Sequence, residues 1–275
     1  MPIELVAEIG INHNGDMALA KKLIDVASSA GVDFVKFQKR NIDLVYTPEE
    51  LAAKRESPWG TTNGDQKRGL EFSAEQYNEI DRYCREKKIG WFASPWDLDS
   101  LSLLYSFPDC RFIKVPSPLL TNTRLLVECA SHDRPVILST GMSTLDMLDD
   151  AIGILGPNKI ACIMHCTSTY PSKPEELNLN CIRTLKDRYP WAKIGFSNHN
   201  PGVIYMPIAA ALGAEMIEYH ITLDRSSYGS DQAASIEPEG TFKLVKYLRG
   251  VEAAMGDGVK KIYDSELPIM KKLRK

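Results

Sequence analysis

Two lysines stand inside short apolar segments, which is an unusual place for a charged side chain. Lys36 occurs in the run VKFQ and Lys114 in the run IKVPS. A buried ammonium without an anionic partner is very costly, so each lysine must meet a protein carboxylate or a bound anion. Glu8 and Glu218 are carboxylates that could pair with the lysines, and this purely structural interpretation stays open.

Hydroxyl side chains end the neighbouring apolar runs and favour a bound anion. They are Ser94, Ser117, Ser139, Thr140 and Ser197. With the two lysines they would suit a small dianion or trianion, such as a ligand that carries both a phosphate and a carboxylate. The formal net charge of −3 gives no general attraction to nucleic acid or to an anionic membrane, so we expect neither as a partner.

Two histidines, His199 and His220, also end apolar runs and could meet at one site. Two imidazoles with oxygen ligands suit a divalent metal, for which we expect Mn²⁺, with Mg²⁺ or Co²⁺ as alternatives. The two residues could equally be a general base and a hydrogen-bonded core histidine. The segment DRSSYGSDQAAS that follows suggests a ligand-contacting loop, in which Asp231 or Gln232 could reach a polyol.

Eight apolar runs position these residues, and each run is rich in β-branched or aromatic side chains. The runs are Leu5–Ile9, Phe34–Gln38, Trp91–Ser94, Phe112–Val115, Val136–Ser139, Cys162–Cys166, Ile194–Ser197 and Met216–Ile221. Segments with helical periodicity alternate with them. These are Asp16–Ala30, Ser73–Lys87, Leu98–Phe107, Asn122–Ser131, Thr144–Leu155, Asn178–Tyr189, Val203–Leu212 and Pro238–Met255.

This strict alternation predicts an α/β fold, a (β/α)₈ TIM barrel, although an open doubly wound sheet stays an alternative. We expect one catalytic domain over residues 1–275, with a long loop at 40–71 and a short tail from residue 257. The loop is long enough to be a functional lid or disordered. No secretory signal pattern or membrane span is visible. Together with six scattered cysteines, this predicts free thiols in a cytoplasmic protein.

Motifs along the barrel, read in order, resemble the sialic acid synthase family of nonulosonic acid synthases. They are AEIGINHNGD, VKFQ, FASP, KVPS, ILSTGM, HCTSTYP, GFSNH, EYHIT and GSDQAAS. The resemblance implies condensation of phosphoenolpyruvate with N-acetylmannosamine or a related amino-sugar aldehyde. The products would be a nine-carbon 3-deoxy-2-keto acid and phosphate.

The resemblance also implies roles for individual residues. His199 and His220 would hold the metal ion, which polarises the aldehyde oxygen. Phosphoenolpyruvate would be clamped by Lys36, Ser94, Lys114, Ser117, Ser139, Ser168 and Ser197. The sugar would face Glu8, Gln38, Tyr170 and Asp231. Among these residues, Glu8, Lys36, Lys114 and Asp231 are those that we expect to act in catalysis.

Two features depart from the family pattern. The run Ser117-Pro118-Leu119 lacks the carboxylate that family members commonly carry two residues after this serine. The usual C-terminal antifreeze-like domain is not visible. The acceptor site could therefore be built from the 40–71 loop, be supplied by a partner such as a separate antifreeze-like domain, or accept a different sugar. A homodimer through another face of the barrel is a further expectation.

Three other functions stay open. A 3-deoxy-octulosonate-type or heptulosonate-type synthase would use phosphoenolpyruvate with a phosphorylated aldose and would need a second phosphate site. Arg40, Arg55 and Arg68 could form that site, but they are more simply interpreted as solvated charges. The other two are a non-catalytic sugar-binding barrel and a metal-dependent hydrolase or aldolase on the same fold.

Overall fold

The apolar runs form a closed barrel of eight parallel strands in the computed structural model, which describes residues 2–274. In chain order the strands are β1 (Glu4–Gly10), β2 (Phe34–Lys39), β3 (Lys54–Ser57), β4 (Gly60–Thr62), β5 (Gly90–Pro95), β6 (Cys110–Val115), β7 (Val136–Ser139), β8 (Ile160–Cys166), β9 (Ile194–Asn198) and β10 (Met216–His220). The barrel order is β1-β10-β9-β8-β7-β6-β5-β2, and β3 pairs with β4 in a separate antiparallel hairpin. The predicted (β/α)₈ barrel is confirmed.

A helix follows each barrel strand and covers the outside of the sheet. In chain order the helices are α1 (Met17–Ala30), α2 (Ile42–Val45), α3 (Pro48–Ala52), α4 (Asn63–Leu70), α5 (Ala74–Lys87), α6 (Leu98–Tyr105), α7 (Thr123–Ser131), α8 (Leu145–Leu155), α9 (Cys181–Arg188), α10 (Tyr205–Ala211), α11 (Pro238–Met255) and α12 (Leu267–Leu273). The covering helices are α1 and α5 to α11, so the eight predicted helices are all present, with ends that differ by up to a few residues.

Local sequence signals explain where the helices begin. Asp16 caps α1, and its carboxylate accepts from the backbone N–H of Ala18 at 2.7 Å. Ser73 and Gln76 form the predicted capping box of α5, in which each side chain accepts from the other residue's backbone N–H. Such reciprocal bonds satisfy donors that a helix start would otherwise leave unpaired.

The segment 40–71, which the sequence predicts as one long loop, has secondary structure of its own. It contains the short helices α2, α3 and α4 and the β3–β4 hairpin. Capping boxes at Thr47 and Thr62 begin α3 and α4. These elements are short and largely polar, so they leave no apolar periodicity in the sequence. The tail from residue 257 also differs from the prediction, since it includes the exposed helix α12.

Two further structural findings concern the whole described chain. None of its six cysteines, all within residues 2–274, forms a disulfide. No helix of the described chain has the length and apolar character that a bilayer crossing requires.

Candidate active site

A cavity of about 410 Å³ opens where the carboxyl ends of the barrel strands meet. Every predicted site residue lines it. They are Glu8, Lys36, Gln38, Ser94, Lys114, Ser117, Ser139, Ser168, Tyr170, Ser197, His199, His220 and Asp231. Closure of the barrel therefore brings together side chains from all eight strand ends, as a TIM-barrel active site requires. Their individual roles remain predictions.

Four buried charges form the bottom of the cavity, and we call Glu8, Lys36, Lys114 and Glu218 the floor cluster. The Lys36 ammonium lies 2.9 Å from Glu8 Oε2 and 3.6 Å from Glu218 Oε1. The Lys114 ammonium lies 2.7 Å from Glu218 Oε2. No side chain of the cluster is more than 5% exposed. The lysine–glutamate pairing that the sequence left open is thus present, and the four charges sum to zero.

Strand register explains these pairs. Glu8 stands beside Lys36 across β1–β2 and beside His220 across β1–β10. Glu218 stands beside Ser197 across β10–β9, and the Ser197 hydroxyl donates to Glu218 Oε1 at 3.0 Å. Parallel neighbours at one level of a barrel place their inward side chains within reach of each other.

The pairs displace the pKa values of Lys36 and Glu218. Burial alone lowers the pKa of the Lys36 ammonium, but Glu218 and Glu8 outweigh it and the net pKa is raised. Burial alone raises the pKa of Glu218, but Lys114 and Lys36 outweigh it and the net pKa is lowered. Both groups are therefore held in their charged forms, ready to bind an ion or to exchange partners with one.

Hydroxyls surround the floor cluster. Lys36 Nζ lies 3.4 Å from Ser94 Oγ, and the backbone N–H of Gly141 donates to Ser117 Oγ at 3.1 Å. A Cβ at position 141 would overlap Ser168 Oγ and would lie 2.8 Å from Ser117 Oγ. Glycine in the STGM segment is thus what allows the serine side chains to approach one another here.

The two predicted metal-binding imidazoles face each other, with ring centres 5.4 Å apart. His199 Nδ1 donates to the Thr167 carbonyl at 2.5 Å, so in the neutral ring Nε2 carries the lone pair, and Tyr170 OH lies 3.0 Å from it. Burial and the neighbouring His220 lower the pKa of His199 to about 3, which keeps the ring neutral. Neutral imidazole is the form that ligates metals.

The remaining donors near these imidazoles are few. His220 Nδ1 is buried, forms no hydrogen bond within the described chain and lies 3.5 Å from Asp231 Oδ2. No group of three or more histidine, cysteine or acidic side chains among residues 2–274 is arranged to hold a metal ion. The arrangement fits an open site, in which the protein supplies two imidazoles and substrate or water would supply the other ligands.

Three other polar residues near the strand ends serve packing, two of which, Thr140 and Gln232, the sequence offered as ligand contacts. Gln232 is buried, accepts from Thr222 Oγ1 and donates to the backbone of Asn12, so the alternative that it reaches a polyol is wrong. Thr140 donates to the Met164 carbonyl at 3.0 Å. His13 stacks on Phe72 with ring centres 3.8 Å apart.

Sequence reasoning missed several residues that line the outer part of the cavity. The main ones are Tyr46, Lys67 and Trp96, and Arg40, which the sequence offered only for a second phosphate site, lines the cavity beside them. We call Arg40 and Lys67 the mouth cluster. The interpretation of Arg40 as a solvated charge is wrong, since its side chain is only 10% exposed and its guanidinium lies 4.3 Å from the Trp96 ring centre. The sequence signals were that the 40–71 segment could complete the acceptor site and that Arg40 could bind a phosphate; Trp96, outside that segment, had no signal.

Fold and site together define a barrel enzyme whose cavity brings two buried lysines and two imidazoles together. The chain belongs to the NeuB family, whose profile matches residues 23–260. It is 38% identical to the N-acetylneuraminate-9-phosphate synthase of Homo sapiens, over 100% of this chain and 77% of that protein. It is 36% identical to the N,N'-diacetyllegionaminic acid synthase of Campylobacter jejuni, over 95% of this chain and 80% of that protein.

A solved structure agrees. The N-acetylneuraminic acid (sialic acid) synthetase of Leptospira borgpetersenii, in complex with citrate, superposes with a TM-score of 0.86 at 30% identity. The match covers 100% of this chain and 93% of that chain. The family resemblance seen in the motifs is therefore confirmed.

Proposed function

We propose that this protein condenses phosphoenolpyruvate with an N-acetylated amino-sugar aldehyde to give a nonulosonic acid and inorganic phosphate. The observation that carries the proposal is the convergence of two buried lysines, a set of serines and two imidazoles on one cavity. The names of the NeuB-family relatives, which are nonulosonic acid synthases, support it. Those names cover both a 9-phosphate product and an unphosphorylated product, so they leave open whether the acceptor carries a phosphate.

Phosphoenolpyruvate is best held at the floor of the cavity. Lys36 and Lys114 provide cations, and Ser94 and Ser117 provide hydroxyl donors beside them. The ligand's anionic groups would share these lysines with Glu8 and Glu218. Holding both substrates in a defined orientation supplies much of the rate enhancement in such a two-substrate reaction.

The chemistry requires a balanced set of steps. C3 of phosphoenolpyruvate forms a bond to the aldehyde carbon, and the aldehyde oxygen takes up a proton. Water adds to C2 and loses one proton. When the C2–O bond to phosphate breaks, the new C2 hydroxyl loses its second proton to the departing phosphate, and C2 becomes the keto carbon. Glu8 would handle a proton at the aldehyde oxygen, and the 2.9 Å hydrogen bond from Gln38 Nε2 to its Oε1 supports this role by fixing the carboxylate. The cavity-lining Tyr170 and Asp231 would contact the sugar.

A divalent ion such as Mn²⁺, bound by His199 and His220, would supply Lewis-acid polarisation of the aldehyde oxygen. The lone pair that the Thr167 contact leaves on His199 Nε2 supports this assignment. The buried Nδ1 of His220, which lacks a hydrogen-bond partner within the described chain, supports it too.

The test is phosphate release from phosphoenolpyruvate in the presence of Mn²⁺ and a panel of aldoses. The panel holds N-acetylmannosamine, its 6-phosphate, diacetamido-trideoxy hexoses, mannose and arabinose 5-phosphate. We expect release with an N-acetylated hexose and a matching nonulosonic acid by mass spectrometry. Release with arabinose 5-phosphate alone would replace the proposal with an octulosonate-type synthase.

Two further expectations belong to this proposal. The unpaired thiols of the described chain support a cytoplasmic location. Exposed Ile208, Phe242 and Tyr247 on the adjacent helices α10 and α11 support association of two copies. Light scattering of the purified protein tests the second expectation, and a monomer at all concentrations would contradict it.

A further inference from the structure

The mouth cluster carries positive charge that the protein does not neutralise. Glu71 is the one carboxylate that pairs with Arg40 within the described chain, at 3.3 Å, and it also pairs with Lys39 at the same distance. Lys67 forms no ion pair with any described residue, and its ammonium rests 5.3 Å from the Tyr46 ring centre. Three cations, Arg40, Lys39 and Lys67, thus outnumber the two nearby carboxylates, Glu71 and Asp231, at this end of the cavity.

The surroundings of Lys67 disfavour the protonated, charged form of its side chain. Burial, followed by the cations Arg40 and Arg55, lowers the pKa of Lys67, and Asp231 and Glu71 offset this only in part. Hydrogen-bond donors are also in excess. The buried Arg40 Nε and Trp96 Nε1 have no acceptor among residues 2–274. A site with surplus cations and surplus donors lacks an anion.

Phosphoenolpyruvate alone does not account for this surplus. In the proposed function, its phosphate and carboxylate bind the floor lysines and the serine hydroxyls at the bottom of the barrel. The mouth cluster lies on different elements, since Arg40 follows β2 and Lys67 belongs to α4 of the 40–71 segment. An anion bound there would have to belong to the second substrate.

The reaction geometry says which part of the second substrate this is. The acceptor must place its aldehyde carbon against C3 of phosphoenolpyruvate at the floor. The carbon at the other end of the sugar then extends toward the mouth, beside Arg40, Lys67 and Trp96.

We propose that the acceptor carries a phosphate on the carbon farthest from its aldehyde, and that Arg40 and Lys67 bind this phosphate. The inference rests on the proposed function and specifies its substrate class, a hexosamine phosphate. The Arg40 guanidinium, 4.3 Å from the Trp96 ring centre, and the flexible Lys67 ammonium are two cations that suit this ligand. The guanidinium supplies directional donors, and the ammonium supplies charge.

The experiment compares N-acetylmannosamine 6-phosphate with N-acetylmannosamine in the full chain. We expect kcat/KM to favour the phosphorylated sugar by about 10-fold or more, which corresponds to one or two charge-assisted contacts. In Lys67→Ala the preference should fall about 10-fold. In the control Lys22→Ala, which removes the same charge from an exposed position on α1, the preference should not change.

Binding provides a readout independent of turnover. Calorimetry should show that wild type binds the 6-phosphate more tightly than the free sugar, and that Lys67→Ala loses the difference. That pattern supports the inference even if the panel yields no turnover. Equal kinetics and equal affinity for the two sugars would overturn it and leave the proposed function intact where turnover is seen.

A separate arm distinguishes the two sources of phosphate. If Lys67→Ala raises KM for phosphoenolpyruvate and leaves the preference between the two sugars unchanged, the mouth cluster binds the enolpyruvate phosphate. That result would overturn the inference. A full loss of turnover in Lys67→Ala, with the preference for the 6-phosphate in the binding experiment retained, would overturn it as well.

Discussion

Two lysines that line the same cavity have pKa values displaced in opposite directions. Lys36 at the floor lies between two glutamates, which raise its pKa. Lys67 at the mouth has its pKa lowered by burial first and then by the cations Arg40 and Arg55. At the floor, two glutamates balance the charges of two lysines. At the mouth, the cations outnumber the carboxylates. This difference suggests that the barrel orders its floor before any ligand binds and leaves the mouth to be completed by substrate.

The largest effect should come from breaking the floor cluster. Lys114→Met removes the cation that lies 2.7 Å from Glu218 and leaves a buried carboxylate with less compensation. Loss of one partner of a buried pair costs about 3–5 kcal/mol, so we expect the free energy of unfolding to fall by roughly that much. Urea denaturation measures it.

The double variant Lys114→Met/Glu218→Gln is the matched control. It removes the stranded charge and should recover most of the lost stability. If the double variant is as unstable as Lys114→Met, the loss comes from packing and not from the unpaired carboxylate.

Removing an imidazole should act on chemistry and spare the fold. In His199→Ala or His220→Ala we expect turnover with Mn²⁺ to fall by about 100-fold or more, because only two protein ligands are proposed for the ion. A Mn²⁺ titration followed by electron spin resonance should show weakened binding in both variants. Full activity in either one would remove the metal assignment.

Low pH should reduce the stability that the ion pairs of the floor cluster contribute. The pKa of Glu218 is lower in the folded chain than its ordinary value of 4.5, so its charge contributes stability at higher pH. This contribution disappears as the pH falls through the folded pKa. Urea denaturation at pH 7, 4 and 3 should therefore show a steeper loss for wild type than for Lys114→Met/Glu218→Gln. Parallel curves would contradict the assignment.

The smallest effect is expected at the mouth. Lys67→Ala should change the free energy of unfolding at pH 7 by no more than about 0.5 kcal/mol, because solvent screens this partly exposed group. The sign should be stabilising, since the folded chain disfavours the charged form. The difference from wild type should vanish as the pH rises toward 10.5, where the ammonium loses its proton. A clear destabilisation by Lys67→Ala would mean that Lys67 holds the 40–71 segment in place.

The floor and the mouth also differ in how far they can be predicted from the sequence. The barrel strands are apolar runs buried on both faces, so their positions and the polar residues at their ends can be predicted from the sequence. Closure then brings Glu8 beside His220 and Lys36. Arg40 and Lys67 cannot be predicted in this way. Their placement depends on how the short helices and the hairpin of the 40–71 segment pack, and polar capping boxes determine where two of those helices begin.

Glu218 is an intermediate case. The sequence indicates that it could pair with a buried lysine, which is confirmed. It did not place Glu218 among the site residues, because a structural pair and a substrate clamp are equally consistent with a carboxylate in an apolar strand. The contacts with Lys36, Lys114 and Ser197 show that Glu218 is central to the floor.

The most direct test of the account is the affinity of the floor for phosphoenolpyruvate. Calorimetric titration into wild type and into Lys114→Met/Glu218→Gln compares two chains that should both be folded. We predict binding at least about 10-fold weaker in the double variant, because it has lost a buried cation. Removing the negative charge of Glu218 should not by itself weaken the binding of the anionic phosphoenolpyruvate, so weaker binding would be due to the loss of Lys114. Equal affinity in the two proteins would contradict the claim that the floor lysines hold phosphoenolpyruvate.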